Sequence, residues 1–230
     1  MNKKINLCFD FDGPIVDVID RYYRAYLESL KGFENKKVQI LSKEDFWKLK
    51  QNRVSDLEIG LMSSLSINES TSSSEIRRDL TFKAEYLSHD RLFNDVFTTF
   101  DYLKSNKITF FLVTLRRYKQ LNYAIKQFKL EKYFSVANTF SLPDEHKFTN
   151  DIQEKYLMLV NALNKIDVIS QETWIITDSD TDIHASRLAR YGKVIAIPRG
   201  IRSKEQLEVL KPDFIINDLK EIIILIQNQS

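Results

Sequence analysis

Short apolar segments recur along the chain, and most of them are separated by stretches with helical periodicity. Each apolar segment is rich in Ile, Val, Phe or Leu, and together they span residues 5–9, 108–113, 174–177, 194–197 and 214–216. These segments lack the regular alternation of a half-exposed strand, which indicates strands covered on both faces. Amphipathic stretches lie between them at 118–128, 155–163, 179–191 and 204–210. This order of elements predicts an α/β fold, a parallel sheet with helices on both faces.

Residues 15–92 interrupt the alternation, because they show helical periodicity and helix caps but no convincing strand. Ser72 and Glu75 have the spacing of a capping box, and the serine-rich run 63–74 predicts a loop between two helices. A chain of 230 residues has room for one domain with an inserted module. We therefore expect two domains: a core of residues 1–14 and 93–230, and a helical domain of residues 15–92.

Composition and charge exclude several classes of protein. The formal net charge is +2, from 34 Lys and Arg against 32 Asp and Glu, which is too small for a dedicated nucleic-acid binder. Cys8 is the only cysteine, so no disulfide forms within the chain, which suits a reducing compartment. No apolar run approaches the roughly 20 residues of a membrane span, and none has the length of a signal peptide. We expect a cytoplasmic protein without nucleic-acid or membrane partners.

Two aspartates, Asp10 and Asp12, directly follow the first apolar segment, and Gly13 comes next. In extended backbone, residues two apart project to the same side, and ligands of open parallel sheets bind at the carboxyl ends of strands. Two neighbouring carboxylates repel each other, and a hard cation such as Mg²⁺ would relieve that repulsion. An ordinary Asp-Gly turn is the alternative interpretation of the same residues.

Three later segments carry polar groups at comparable positions. Thr114 follows the second apolar segment, where a hydroxyl can donate to a phosphate oxygen or simply cap a helix. Asp178 ends another segment and Asp182 lies four residues on, which is more acid than helix capping needs, although helix N-termini favour Asp. Lys155 lies 23 residues before Asp178, at the start of a predicted helix, and would be an ordinary solvated lysine if considered alone.

Taken in this order, these features resemble the four motifs of the haloacid-dehalogenase superfamily of phosphatases and phosphomutases. The first motif is an apolar run into Asp-x-Asp-Gly, and the second is a strand ending in Thr or Ser. The third is a Lys some two dozen residues before the fourth, which is often Gly-Asp-Ser-x-x-Asp. The later segments around residues 198–200 and 212–216 look like the phosphoglycolate-phosphatase-like and β-phosphoglucomutase-like branch. The resemblance implies a Rossmann-like core with a helical cap inserted at residues 15–92.

The resemblance also implies catalytic roles for the matching positions. Asp10 would be the nucleophile that forms an aspartyl-phosphate, and Asp12 would be the general acid and base. Thr114 and Lys155 would bind the phosphoryl group that is transferred and offset its charge.

A metal site is implied in the same way. Mg²⁺ would be held by Asp10, the backbone carbonyl of Asp12 and Asp178, with Asp182 acting through water or from the next layer. The resulting expectation is a magnesium-dependent phosphatase of a small phosphorylated metabolite. A phosphomutase of the same superfamily shares every motif, and a catalytically silent binding or regulatory module on this scaffold is the alternative from another class.

Three positions depart from the family pattern or extend it. Thr177 stands where the fourth motif usually has Gly, which could alter the loop before Asp178. Arg116 follows the second motif closely and could reach a substrate phosphate or face solvent at a helix start. Arg53 lies in a stretch similar to the family's substrate-contacting cap loop and is the preferred specificity residue over Arg21 and Arg24, the other basic residues early in the cap.

Overall fold

The apolar segments form strands, and the amphipathic stretches form helices. The computed structural model describes residues 5–33, 37–147 and 150–229. In chain order, the strands among them are β1 (Asn6–Phe9), β2 (Val16–Asp17), β3 (Arg91–Leu92), β4 (Thr109–Arg117), β5 (Thr139–Leu142), β6 (Thr173–Thr177), β7 (Lys193–Ala196) and β8 (Phe214–Ile215).

The helices are more numerous, and two short 3₁₀ turns, Lys31–Phe33 and Ser170–Glu172, accompany them. Within the described ranges, no helix is both long and apolar enough to cross a membrane. In chain order the α-helices are α1 (Ile19–Leu30), α2 (Lys43–Gln51), α3 (Asp56–Met62), α4 (Ile67–Thr81), α5 (Ala84–Leu87), α6 (Val96–Ser105), α7 (Tyr118–Gln127), α8 (Asp151–Ile166), α9 (Asp180–Leu188), α10 (Lys204–Val209) and α11 (Glu221–Gln227).

Six of the strands form one parallel sheet in the order β5-β4-β1-β6-β7-β8, which confirms the predicted α/β class. The central strand β1 lies between β4 and β6, and Phe9 at its end pairs with Leu112 and with Ile176. Because the strands are parallel and in this register, the residues that follow them emerge at one edge of the sheet.

Both faces of the sheet are covered, as the unbroken apolar pattern of the strands predicts. On one face, Cys8 and Ile175 pack with Leu159 of α8 and Ile183 of α9 in one buried cluster. On the other face, the ring of Phe9 packs edge-on against Phe100 of α6, 5.1 Å between centroids. Burial also raises the pKa of the Cys8 thiol far above its ordinary value, so this cysteine is a small core residue.

The chain divides into two compact units. The sheet unit consists of Met1–Asp17 and Leu92–Ser230, and the helical unit consists of Val18–Arg91. The helical unit contains α1 to α5, and its buried positions include Ala25, Tyr26 and Phe46.

The predicted loop over residues 63–74 is wrong from position 67 onward, where α4 begins. The capping box that starts this helix is formed by Ser66 and Glu69, whose Oε2 accepts the Ser66 N–H at 2.9 Å, so Ser72 with Glu75 lies inside the helix. Hydroxyls within α4 donate to carbonyl oxygens one turn back, as in Ser72 Oγ to Asn68 O at 3.1 Å. These bonds satisfy the hydroxyls of Thr71, Ser72 and Ser74 without competing with the helix, which is why a serine-rich run could be helical.

Small residues let α3 and α4 pack closely. A Cβ added at Gly60 of α3 would lie 2.8 Å from the Cβ of Ser70 on α4 and 2.9 Å from its Cα. Such a separation is too short for carbon atoms, so a larger residue at Gly60 has to push the two helices apart.

We expect Gly60→Ala to destabilise the protein by up to about 2 kcal/mol. This is the overpacking cost of about 1–3 kcal/mol less the helix-propensity gain of about 1 kcal/mol. Gly32→Ala is the matched control, because a Cβ at Gly32 has no neighbour within 4 Å. Urea unfolding followed by circular dichroism measures both variants, and a Gly60→Ala protein as stable as Gly32→Ala would contradict this account of the packing.

Candidate active site

The carboxyl edge of the sheet gathers polar side chains from adjacent strands. Asp10 follows β1, Thr114 lies near the end of β4, and Asp178 follows β6. The pairing of β1 with β6 continues to Asp10, whose backbone N–H donates to the Ile176 carbonyl oxygen at 3.0 Å, so Asp10 lies beside the end of β6. All three residues are buried, which is unusual for the carboxylates of Asp10 and Asp178 unless they are paired.

Lys155 of α8 contacts groups from two of these strands and from α9. It lies in the second turn of α8, is 1% exposed, and its Nζ donates to Asp10 Oδ1 at 2.9 Å and to the Val113 carbonyl oxygen at 2.8 Å. The same Nζ lies 2.8 Å from Oδ2 of Asp182, the third residue of α9. One ammonium group therefore contacts groups from β1, β4 and α9.

Burial and mutual charge shift the pKa values of this cluster. Burial alone would lower the pKa of Lys155, but the charges of Asp10 and Asp182 outweigh it and raise that pKa, so the lysine is protonated. Burial raises the pKa of Asp10 to about 7; Lys155 opposes the rise and the charge of Asp182 adds to it.

Asp178 lies in a narrow cradle of backbone. A Cβ added at Gly13 or at Gly200 would overlap the Asp178 carboxyl group, and Gly13 has a positive φ of 92°. Oδ2 of Asp178 accepts the N–H of Ile201 at 2.5 Å. Burial, followed by the charge of Asp10, raises the pKa of Asp178 well above its ordinary value, although the Ile201 N–H opposes the rise. The chain does turn at Gly13, as an Asp-Gly pair predicts, and the missing side chain of this glycine leaves the space that the Asp178 carboxyl group fills.

Thr177 fits its position without disturbing the strand. It is the last residue of β6, is fully buried, and its Oγ1 accepts the N–H of Ser179 at 3.1 Å. Ser179 in turn caps α9 by accepting the N–H of Asp182 at 3.2 Å. The side chain that replaces the usual glycine thus helps to define the turn that leads from Asp178 into α9.

Arg116 does not face solvent at a helix start, and that expectation is wrong. It lies within β4, is 3% exposed, and its Nε donates to Asp12 Oδ1 at 2.5 Å. The β4 strand continues to Arg117, which is the N-cap residue of α7, so Thr114 does not cap that helix either. The Thr114 hydroxyl accepts the N–H of Arg116 at 3.2 Å and can still donate its own hydrogen.

Several charged side chains near this edge were not predicted from the sequence. Arg199, next to Gly200, forms an ion pair of 2.5 Å with Asp95 and bonds the Pro14 carbonyl oxygen. Burial would raise the pKa of Asp95, but Arg199 and the N–H of Leu219 outweigh it and hold that pKa below its ordinary value. An arginine beside a glycine after an apolar strand was the available signal, but nothing local identified the partners.

The second missed pair lies beside Asp178. Arg202 Nε lies 2.6 Å from Oδ1 of Asp180, the first residue of α9. This contact holds the segment after β7 against the segment after β6. Together with the bond of Arg199 to Pro14, it fixes the segments that contain Gly200 and Gly13 around Asp178.

The chemistry of the donors fits a hard divalent cation, although no three His, Cys, Asp or Glu side chains within residues 5–33, 37–147 and 150–229 form a ready-made metal centre. The carboxyl group in the cradle around Asp178 has a pKa raised first by burial and then by the negative charges of Asp10, Asp182 and Asp12. This excess of negative charge is what a cation relieves. Mg²⁺ is commonly held by one or two carboxylates together with substrate and water, so a complete protein cage is not required.

Arg53 is the one predicted site residue that belongs to the helical unit. It is exposed and follows α2 with a positive φ of 60°, at the point where the N–H of Val54 bonds the Leu49 carbonyl oxygen and ends the helix. Arg21, by contrast, is fully buried and lies 3.3 Å from Asp90 within the same unit, so it has a structural role there.

The structure is thus an α/β fold in which acidic groups at the ends of the central strands β1 and β6 lie beside a buried lysine of α8. The chain belongs to the haloacid dehalogenase-like hydrolase family, because the model of that family matches residues 7–197. The sequence resemblance is therefore confirmed over residues 7–197, which include the whole helical unit and the sheet unit from β1 to β7.

Individual relatives are distant but similar in length. The pyrophosphatase PpaX of Bacillus anthracis is 22% identical over 240 aligned positions, which cover 99% of each chain. Two solved structures share the fold over 98% of this chain and 99% of their own. They are a haloacid dehalogenase-like hydrolase of Streptococcus pneumoniae, with a TM-score of 0.73 and 19% identity, and a predicted phosphoglycolate phosphatase of Haemophilus somnus, with a TM-score of 0.72 and 17% identity.

Proposed function

We propose that this chain is a magnesium-dependent phosphatase that hydrolyses a small phosphorylated metabolite through an aspartyl-phosphate on Asp10. The observation that carries the proposal is the contact of Lys155 Nζ with Asp10 Oδ1 at 2.9 Å, at the edge where Thr114 and Asp178 also stand. A buried lysine beside a buried carboxylate supplies both a nucleophile and a charge that offsets the transferring phosphoryl group.

In the first step, a carboxylate oxygen of Asp10 attacks phosphorus. The bond from phosphorus to the leaving oxygen breaks with its electron pair, and the carboxylic acid of Asp12 donates a proton to that oxygen. The ammonium of Lys155 and the hydroxyl of Thr114 hold the phosphoryl oxygens during the transfer.

In the second step, the carboxylate of Asp12 takes a proton from water. The water oxygen attacks phosphorus, the bond to Asp10 breaks, and the products are inorganic phosphate and the free Asp10 carboxylate. The 28% exposure of the Asp12 side chain, against 12% for that of Asp10, gives Asp12 access to water.

Asp10, the backbone carbonyl of Asp12 and Asp178 would hold Mg²⁺, with Asp182 outside them. In that place the cation supplies charge stabilisation for the phosphoryl oxygens. Since Asp182 pairs with Lys155 at 2.8 Å, its part is to orient the lysine.

The Bacillus anthracis relative, matched over 99% of each chain, is named a pyrophosphatase, so inorganic pyrophosphate belongs in the substrate panel together with phosphorylated sugars and short phosphorylated organic acids. A phosphomutase would use the same side chains and transfer the phosphoryl group back to a sugar hydroxyl. Release of inorganic phosphate, rather than isomerisation of a sugar phosphate, distinguishes hydrolysis from this alternative.

We expect Asp10→Asn to lower the turnover of p-nitrophenyl phosphate by at least about 10³-fold, the range of losses seen when a nucleophile is removed. The amide keeps the size of the carboxylate but does not attack phosphorus. Asp151→Asn is the matched control, because Asp151 is exposed in the first turn of α8. Undiminished hydrolysis by a folded Asp10→Asn protein would exclude the covalent mechanism.

Activity should require Mg²⁺, disappear in EDTA and return when Mg²⁺ is restored. Asp178→Ala should raise the Mg²⁺ concentration for half-maximal activity or abolish activity, and calorimetric titration with Mg²⁺ alone should show the same weakening. Asp101→Ala, which alters an exposed aspartate of α6, is the control. Full activity after dialysis against EDTA would contradict the metal assignment.

We further propose that the helical unit is the family's cap and that Arg53 selects the substrate. Arg53→Ala should lower kcat/KM for the best substrate of the panel at least about tenfold, the loss of one charge-assisted hydrogen bond. Hydrolysis of p-nitrophenyl phosphate should change much less. Arg53→Lys keeps the charge and should show a smaller loss than Arg53→Ala. Both replacements have the same backbone strain as Arg at a φ of 60°, so a difference between the variants comes from the side chain.

The matched control is Arg24→Ala, because Arg24 is an exposed arginine of α1 in the same unit. Equal losses on the best substrate and on p-nitrophenyl phosphate would show that Arg53 supports the structure of the helical unit and does not choose the substrate.

A further inference from the structure

Arg116 and Asp12 form a close pair between two parts of the site that are far apart in sequence. Arg116 Nε donates to Asp12 Oδ1 at 2.5 Å, and the two residues are 104 positions apart. The guanidinium carbon lies 4.8 Å from the centroid of the Phe11 ring, so the group is held on a second side as well. A planar guanidinium with defined N–H directions fixes the orientation of a carboxylate better than a flexible ammonium does.

The two members of the pair differ in exposure. The side chain of Arg116 is 2% exposed, whereas the side chain of Asp12 is 28% exposed. Of the two side chains, Asp12 is therefore the one that solvent or a substrate can reach, and the Arg116 guanidinium is buried against it. Arg116 can act on the reaction through that carboxyl group.

Lys155 and Arg116 are both buried at the sheet edge and contact different carboxylates. Lys155 contacts Asp10 and Asp182, and Arg116 contacts Asp12. Asp10 and Asp12 have different tasks in the proposed reaction, and each of them contacts a buried cation. The backbone also separates them, because Asp12 pairs as an isolated bridge with Val16, in the turn that leaves β1.

We propose that Arg116 is the positioning residue for Asp12, holding its carboxyl group in the orientation from which it exchanges protons with the leaving oxygen and then with water. This role rests on the proposed function and adds to it a residue outside the four motifs. Removing Arg116 should leave the attack of Asp10 on phosphorus intact and slow the two proton transfers, from Asp12 to the leaving oxygen and from water to Asp12.

Two substrates separate these steps. The p-nitrophenolate ion leaves p-nitrophenyl phosphate without a proton, whereas the alkoxide of glycerol phosphate needs one. The ratio kcat/KM reports steps up to formation of the aspartyl-phosphate, and kcat includes its hydrolysis. For Arg116→Gln with p-nitrophenyl phosphate, we expect kcat/KM within about threefold of wild type and kcat lower by about tenfold to hundredfold. With glycerol phosphate, both should fall by that larger factor, as expected for impaired acid–base catalysis.

A double-mutant cycle isolates the pair. If Arg116 acts through Asp12, adding Arg116→Gln to Asp12→Asn should change the first-turnover rate with either substrate by less than about threefold. Arg116→Lys, which keeps the charge and is less disruptive to folding, should show a smaller loss of kcat than Arg116→Gln. Arg117→Gln is the matched control on the same strand, since the guanidinium of Arg117 donates to the His146 carbonyl oxygen at 3.1 Å. This substitution should leave kcat and kcat/KM unchanged with both substrates.

The outcomes are distinct. Equal losses in kcat and kcat/KM on both substrates, or a further large loss in the Asp12→Asn background, would show a structural role and overturn the inference. Unchanged kinetics of Arg116→Gln would overturn it as well. In either case an active wild-type protein keeps the proposed function. A wild-type protein that hydrolyses neither ester with Mg²⁺ overturns the proposed function itself, and this role with it.

Discussion

The ammonium group of Lys155 is the contact on which the arrangement of the site depends. It is buried and needs partners, because an isolated charge in a protein interior is costly. Its partners come from three elements: Asp10 after β1, Asp182 in α9 and the carbonyl oxygen of Val113 in β4. Satisfying one cation therefore fixes the end of the central strand against its neighbour and against two helices.

The same edge concentrates more negative than positive charge, and this imbalance shapes the backbone around it. Burial raises the pKa of both Asp178 and Asp10; the charge of Asp10 adds to the rise at Asp178, and at Asp10 the Lys155 ammonium offsets only part of it. Room for the Asp178 carboxyl group is left by two glycines, Gly13 and Gly200. The fold accommodates this crowding of acidic groups with small residues and paired arginines.

Three arginines pair with acidic groups near this edge of the sheet. Arg116 contacts Asp12, Arg202 contacts Asp180, and Arg199 bridges Asp95 to the carbonyl oxygen of Pro14. The Arg199 contacts tie the segment after β7 to the segments on both sides of the helical unit in sequence. Each guanidinium fixes an acidic group that a local helix cap or turn would leave free to rotate.

The sequence alone determined the parallel sheet and the order of the acidic and basic groups at its edge, because apolar strands and strand-end residues are local patterns. Only the tertiary structure decided which groups meet: Lys155 and Asp10 are 145 positions apart, and Arg116 and Asp12 are 104. The serine-rich start of α4 was missed for the same reason. Where a serine hydroxyl of a helix bonds depends on packing, here the hydrogen bond of 2.9 Å between Ser73 of α4 and Ser29 of α1, which no local pattern records.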